Sequence, residues 1–387
     1  MIERAAAAKA LQLAGQYPVL TITGPRQSGK TTLCRMIFAD RAYASLEDID
    51  EREFARNDPR GFLNQFPEGA VIDEIQRAPD LLSYIQTIVD QNRRDGFFIL
   101  TGSQQIELLE GISQSLAGRT ALLRLMPFSL AEAYGPGVPD AALDKVLYTG
   151  FYPRIFDKGL NPSEAMSFYV NTYVERDLRM LINIQDLSRF EVFLKLCAGR
   201  VGQTVNLSAL GNDAGISHTT VKKWLSVLEA SYIVKQLRPY YRNFNKRLVK
   251  SSKLYFWDTG LASFLLDIQD ERQMATHPLR GMLFENFVFA ELAKQRFNAG
   301  KGENLYFFRD NAGNEVDLIR DRGVELDAIE IKSGQTIGGD FFKGLNYLDR
   351  LTDQLRQAYL VYGGEKQYVR QGVNVLSWRN LSEVGGE

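Results

Sequence analysis

One stretch constrains this chain more than any other. Residues 24–31 read Gly-Pro-Arg-Gln-Ser-Gly-Lys-Thr, a G-x-x-x-x-G-K-T pattern, and directly follow the apolar run 19–23. Gly24 and Gly29 let the backbone curl until successive N–H groups point inward at phosphate oxygens. Lys30 can bring a point charge to the β- and γ-phosphates, and Thr31 a hydroxyl to Mg²⁺. A helix expected from about residue 31 to 38 turns its positive dipole end toward the same anion. The pattern predicts a site for Mg-ATP, with Gly24, Pro25, Arg26, Gln27, Ser28, Gly29, Lys30, Thr31 and Thr32 as candidate contacts. The competing reading is a glycine-rich turn with no ligand. The placement between a strand and a helix favours the phosphate cradle, because its mechanism needs both.

Two further stretches complete the expected site. The run 70–72 ends in Asp73 and Glu74. An apolar strand closing on two acids sets both carboxylates at its carboxyl edge, beside the phosphate loop. There Asp73 is expected to hold Mg²⁺, and Glu74 to orient and deprotonate the attacking water. Acids at a strand end are more often a solvated rim, so this reading depends on the preceding loop. The run 97–100 leads into Thr101-Gly102-Ser103-Gln104, and Ser103 and Gln104 are candidates for touching the γ-phosphate or the water. The alternative is an ordinary loop hydrogen bond. Arg119, beyond the third strand, is a candidate to stabilise transition-state charge in a neighbouring subunit's site, which would make the chain a homo-oligomer. A plain surface arginine is the alternative.

Composition sets the limits around this core. At 387 residues the chain suggests two or three domains. Lys and Arg number 46 against 47 Asp and Glu, so affinity for nucleic acid has to come from a local patch. Cys34 and Cys197 have no CxxC spacing, which argues against a zinc site or a disulfide framework. The first residues lack a signal-peptide pattern, and no apolar run reaches the ~18 residues a membrane helix needs. The expectation is a cytoplasmic protein without membrane contact.

Three blocks emerge. Residues 1–150 alternate short apolar runs with helical patterns and predict an open α/β sheet with buried parallel strands. Residues 151–270 are mostly helical in pattern. Within them, 207–210 begins one helix, Gly215-Ile216-Ser217 turns, and 219–230 forms a second with Val221, Leu225 and Leu228 on its apolar face. In a DNA-reading helix–turn–helix, the early residues of the second helix (His218, Thr219, Thr220, Lys222, Lys223) face bases and phosphates. Positions 222–253 hold Lys or Arg at 222, 223, 235, 238, 242, 246, 247, 250 and 253 against one acid, Glu229. Arg242, Lys246, Arg247 and Lys250 would extend a phosphate contact. A packing module without DNA is the even alternative.

Residues 271–387 read as a second, smaller α/β unit. Glu330 and Lys332 flank Ile331 on a strand pattern, so they project to one face. If Asp317 faces the same way, two carboxylates and an ammonium converge. That set resembles a PD-(D/E)xK nuclease core, in which Asp317, Glu330 and the helical Glu285 would bind Mg²⁺ or Mn²⁺ and Lys332 would steer water. Charges alternating on an edge strand are the plain alternative.

The stretches GPRQSGKTTL, VIDEIQRAPDLL, LTGSQ, LAGRT, TGFYP, YVERDLR, NLSALGNDAGISHTTVKKWLSVLEASYIV, KLYFWDTGL, GMLFENFVFAEL, YFFRDNAGNEVDLI and AIEIKSG, in this order, resemble a family of prokaryotic AAA+-type ATPases. In that family an N-terminal P-loop domain precedes a C-terminal domain of unknown function. The resemblance spans nearly the whole chain. It implies a three-layer P-loop α/β sheet, a helical lid with a winged helix, a small restriction-endonuclease-like domain, and ATP binding. It also implies that the loop 150–153 and Arg176 belong to the lid. The functional expectation is Mg-ATP hydrolysis coupled to nucleic-acid binding or processing. The alternative is a switch that binds DNA or a protein partner and cleaves nothing.

Overall fold

A computed structural model describes residues 2–103, 115–135, 141–174, 186–241 and 249–385. The chain forms two compact units. The first comprises Met1–Phe128 with Ala230–Tyr232 and Arg296–Lys301, and the second comprises Ser129–Glu229, Ile233–Gln295 and Gly302–Glu387.

The first unit is built on strands β1 (Val19–Thr23), β2 (Ala42–Ser45), β3 (Ala70–Asp73), β4 (Phe98–Gly102) and β5 (Thr120–Arg124). They form one parallel sheet in the order β2-β3-β4-β1-β5. Successive side chains of a strand point to opposite faces, and here both faces are covered. Val19, Ile72, Phe98 and Leu100 join one cluster with Ala55, Phe62, Leu63, Leu82 and Ile85 of helices α3 (Ile49–Asn57), α4 (Pro59–Asn64) and α5 (Leu81–Asn92). Leu20, Ile22, Val71, Ile99 and Leu123 join another with Ala6, Ala10, Leu33 and Cys34 of α1 (Ala6–Ala14) and α2 (Lys30–Ile37). This three-layer arrangement explains why the strands read as unbroken apolar runs. The expected α/β sheet of the P-loop kind is present.

The strand order carries the functional consequence. β4 lies between β1 and β3, so the polar end of β4 is inserted between the loop after β1 and the acids after β3. Ligands of open parallel sheets bind outside the carboxyl ends of the strands, where the order reverses.

The second unit holds helices α6 (Leu187–Ala198), α7 (Leu207–Ala214) and α8 (His218–Ala230), followed by the antiparallel pair β6 (Val234–Leu237) and β7 (Lys253–Phe256). The α7–α8 turn uses Gly215 at φ 65°, and Ser217 Oγ caps α8 by accepting from Thr220 N at 3.1 Å. Beyond the long helix α9 (Arg280–Asn298) stand β8 (Leu305–Arg309), β9 (Glu315–Asp321), β10 (Leu326–Lys332), helix α10 (Lys343–Leu351), and strands β11 (Leu355–Tyr362), β12 (Tyr368–Arg370) and β13 (Val373–Ser377). These six strands form a mixed sheet in the order β12-β13-β11-β10-β9-β8. Its core is Val316, Ile319, Ala328, Leu345, Leu348, Leu360 and Val375. Among the described residues, no helix is long and apolar enough to cross a membrane.

Candidate nucleotide site

The loop after β1 has the torsions its sequence calls for. Gly24 at φ 156°, Gln27 at φ 63° and Gly29 at φ 91° reverse the chain before α2 begins at Lys30. A Cβ on Gly24 would stand 2.0 Å from the Leu125 carbonyl oxygen, so only glycine fits. Ser28 Oγ is buried and has no hydrogen-bond partner among the described residues. Such an orphan hydroxyl is rare in a finished fold and matches a cradle shaped for an oxyanion. The Lys30 ammonium is folded onto the loop itself, donating to Gly24 O at 3.0 Å and Pro25 O at 2.8 Å. Burial lowers its pKa, and Glu74 and Asp73 work in the opposite direction. Pro25 is buried, while Gln27 and Thr32 are exposed. Arg26 faces Glu47 at 3.2 Å.

Asp73 is the hub of the next layer. Its Oδ2 accepts from Thr31 Oγ1 at 2.8 Å and from Tyr43 OH at 2.6 Å, and its Oδ1 accepts from Thr101 Oγ1. Elements β1–α2, β2, β3 and β4 thus meet on one carboxylate. Tyr43 is held as a donor, because burial, followed by its bond to Asp73, pushes its pKa up to about 12. A hydroxyl and a carboxylate within hydrogen-bond distance, beside a phosphate-sized loop, form an all-oxygen donor set that suits Mg²⁺.

Glu74 stands apart from that hub. Its backbone is left-handed at φ 58°, an uncommon conformation for a non-glycine residue that tends to mark functional positions. Its N–H donates to Thr101 Oγ1 at 3.2 Å, and its Oε2 accepts from Ser103 Oγ at 3.0 Å and from Gln76 Nε2. Ser103 and Glu74 are therefore brought together. Gln104 lies outside the described residues.

Arg119 is placed elsewhere. β1 and β5 run parallel with Val19 opposite Thr120 and Thr23 opposite Arg124. The phosphate loop leaves the carboxyl end of β1, whereas Arg119 precedes β5 at the other edge of the sheet. Asp90 grips its guanidinium at 2.6 and 2.8 Å.

In the second unit, the acids of the terminal block converge, but around ammonium groups. Lys332 Nζ lies 2.6 Å from Glu330 Oε1 and 3.3 Å from Asp317 Oδ2. Lys253 Nζ, from β7, lies 2.8 Å from Glu285 Oε1, 2.5 Å from Glu315 Oε1 and 3.9 Å from Asp317 Oδ1. Tyr255 OH donates to the same Glu285 oxygen at 2.5 Å. Burial, then the neighbouring Asp317, pushes Glu330 up, and Lys332 only partly offsets this. Glu285 is likewise raised, to about 7, mainly by burial. Among the described residues, no group of three or more His, Cys, Asp or Glu is placed to hold a metal ion. The expected set of Glu285, Asp317 and Glu330 is brought together, with the ammonium groups of Lys253 and Lys332 among its carboxylates. Lys332 holds Glu330 Oε1 and Asp317 Oδ2, Lys253 holds Glu285 Oε1, and Glu330 Oε2 is buried with no partner among the described residues.

The basic segment divides in the same way. Thr219, Lys222, Lys223, Arg238 and Lys250 are exposed, as is His218. Lys235 is spent on Glu229 at 3.2 Å and Glu303 at 3.0 Å, and Lys253 is 2% exposed. Arg242, Lys246 and Arg247 lie outside the described residues, as does Arg176.

Residues 16–134 match an AAA domain, residues 140–272 a domain of unknown function (DUF8612), and residues 280–381 a second one (DUF4143). The uncharacterized protein Rv2008c of Mycobacterium tuberculosis is 31% identical over 378 residues, which are 95% of this chain and 82% of the relative. The uncharacterized protein Mb2031c of Mycobacterium bovis matches to the same extent. This chain belongs to their family. Its first unit is an AAA-type P-loop ATPase domain, and its terminal block carries no more specific assignment than DUF4143. Among solved structures, the Walker-type ATPase PABY2304 of Pyrococcus abyssi is 14% identical, covers 67% of this chain and 94% of that one, and has a TM-score of 0.45. The RuvB Holliday junction branch migration motor of Thermotoga maritima is 20% identical, covers 61% and 90%, and has a TM-score of 0.32. Likenesses of this size carry nothing further.

In this AAA-type chain, three residues escaped sequence reasoning. Tyr43 is one of a pair of strand residues in an unremarkable run, Gln76 follows the acids by two, and Lys253 sits in a basic segment that reads as surface. The proximity of Gln76 to Glu74 in a tight turn was the one available signal.

Proposed function

We propose that this chain hydrolyses Mg-ATP and uses the turnover to switch a nucleic-acid-holding second unit. The observation that carries the reading is the hub at Asp73, where the Thr31 hydroxyl, the Asp73 carboxylate and the end of β4 meet beside the glycine-shaped loop and its orphan Ser28 hydroxyl. The amides of residues 24–31 bind the triphosphate tail, and Lys30 turns from the carbonyls of Gly24 and Pro25 to the β- and γ-phosphates. Thr31 and Asp73 would hold Mg²⁺, which would supply neutralising charge to the phosphate oxygens. Glu74 accepts the proton of the attacking water once Ser103 and Gln76 yield its carboxylate, and Ser103 then faces the γ-phosphate. Arg119, at the far edge of its own sheet, acts only toward a neighbouring copy, which makes the working form a homo-oligomer.

In the second unit, α7, α8 and the β6–β7 pair serve as a winged helix. Thr219, Lys222 and Lys223 lie on the exposed start of α8, and Arg242, Lys246 and Arg247 follow along the phosphate backbone of DNA. The terminal block has a restriction-endonuclease-like arrangement. Lys253 and Lys332 neutralise its acids and favour gripping over cutting, which is the non-cleaving form of the switch.

The full-length protein tests both halves. Phosphate release from ATP with Mg²⁺ is expected in the wild type and lost in Lys30→Ala and Glu74→Gln. Equal release by wild type and Lys30→Ala overturns the ATPase reading. Duplex DNA should bind with an affinity that falls steeply with salt, and should stay intact with Mg²⁺ or Mn²⁺. Cleavage that disappears in Asp317→Ala overturns the non-cleaving reading.

A further inference from the structure

The first residues of the chain make a contact that the catalytic scheme leaves unused. Arg4 is 5% exposed. Its Nη1 donates to the Ser28 carbonyl oxygen at 2.6 Å, and its Nη2 donates to the Met126 carbonyl oxygen at 2.7 Å. The guanidinium lies 5.0 Å from the centroid of the Phe128 ring. Leu125 meets the end of β1 and the start of the phosphate loop at two more points. Leu125 N donates to Thr23 O at 2.7 Å, and the Leu125 carbonyl oxygen faces Gly24 where a Cβ would otherwise stand. After Phe128 the chain leaves the first unit.

We infer that Arg4 is a positioning residue for the phosphate loop. A trans peptide is planar, with its C=O and the following N–H pointing in opposite directions. Fixing the Ser28 carbonyl outward on Arg4 therefore aims the Gly29 N–H into the cradle, where the amides must converge on the anion. A buried guanidinium fork suits this task, because two fixed N–H groups hold two carbonyls at once, whereas an ammonium would hold them as a single point. The Met126 carbonyl on the other arm ties the loop to the segment that carries the chain out of the ATPase unit. Arg4 touches no phosphate; it sets the direction of an amide that does. The inference rests on the nucleotide reading of the loop.

The test uses the full-length chain with Mg-ATP, followed by calorimetric titration and steady-state phosphate release. Wild type, Arg4→Met, Arg4→Lys and Lys30→Ala are compared, each with its melting temperature. The bond is charge-assisted, so Arg4→Met should raise both Kd and KM by about ten-fold, with kcat changing much less. Arg4→Lys should recover only part of the loss and keeps the test open if Arg4→Met folds poorly. Folded Arg4→Lys or Arg4→Met binding Mg-ATP as tightly as wild type overturns the inference, as does a lowered melting temperature with Kd unchanged. If the wild type itself takes up no Mg-ATP, the nucleotide reading fails first and the inference fails with it.

Discussion

Replacing Lys253 by methionine removes the ammonium from the terminal acids and leaves their carboxylates facing one another. Lys253 is 2% exposed, with Glu285 at 2.8 Å and Glu315 at 2.5 Å. Removing one partner of a buried ion pair costs about 3–5 kcal/mol, because the remaining charge is left buried and uncompensated. For a unit of this size, 1 kcal/mol shifts the melting temperature by roughly 2–4 °C, so Lys253→Met should melt about 10 °C below wild type. The loss should depend on pH. Glu285 is already raised to about 7 by burial with the lysine present, and it rises further without it. A carboxyl whose folded pKa lies above its unfolded value costs stability as pH climbs from the unfolded pKa to the folded one. The deficit should therefore be small at pH 5 and grow as pH rises past about 7, so that it is larger at pH 8. Glu285→Gln in the Lys253→Met background should recover a large part of it, since the orphan charge is gone. Differential scanning calorimetry at the two pH values provides the assay. A Lys253→Met protein melting within about 2 °C of wild type at pH 8, against the several kcal/mol expected, would show that the ammonium does not sit among these acids.

Glu291 is buried, accepts from Leu130 N at 3.0 Å with both oxygens, and is pushed up to about 7, chiefly by burial. Glu291→Gln should remove a loss of stability that wild type suffers as pH rises from about 4.5 to 7, up to ~3 kcal/mol, read from thermal melts across that range. Gly24→Ala forces a Cβ to 2.0 Å from the Leu125 carbonyl at a φ of 156°; strain of about 1–3 kcal/mol should weaken Mg-ATP at least several-fold while α8 and the terminal sheet keep their hydrogen-exchange protection. Lys222→Glu with Lys223→Glu should reduce the slope of log affinity against log salt for duplex DNA by about two, one for each phosphate no longer neutralised; an unchanged slope argues against phosphate contacts by α8.

The sequence was most legible where chemistry is local. A glycine that must adopt a positive φ, a lysine and a threonine one turn later, and unbroken apolar strands buried on both faces all announce themselves within a few residues. That is why the parallel sheet and the loop geometry are readable from the residue pattern alone. Contacts set by topology could not be read in this way. Tyr43 reaches Asp73 only because β2 pairs with β3, with Ser45 opposite Asp73. Arg119 reads as a free arginine until the parallel pairing of β1 and β5 puts it at the edge away from the loop. Lys253 follows a run of cations in sequence, yet β7 carries it inward to Glu285, which lies 32 positions further along the chain. The alternation of Glu330 and Lys332 was a sound local inference about one face. What it could not reveal was a second lysine arriving from another strand and pairing with the same acids.

In the proposed function the loop after β1 grips a triphosphate beside Asp73. Isothermal titration of the folded full-length protein with Mg-ATP tests it most directly. Saturable uptake by the wild type that disappears in Lys30→Ala is the expected result. A well-folded wild type that absorbs no Mg-ATP, or a Lys30→Ala protein that binds it equally well, would contradict the account.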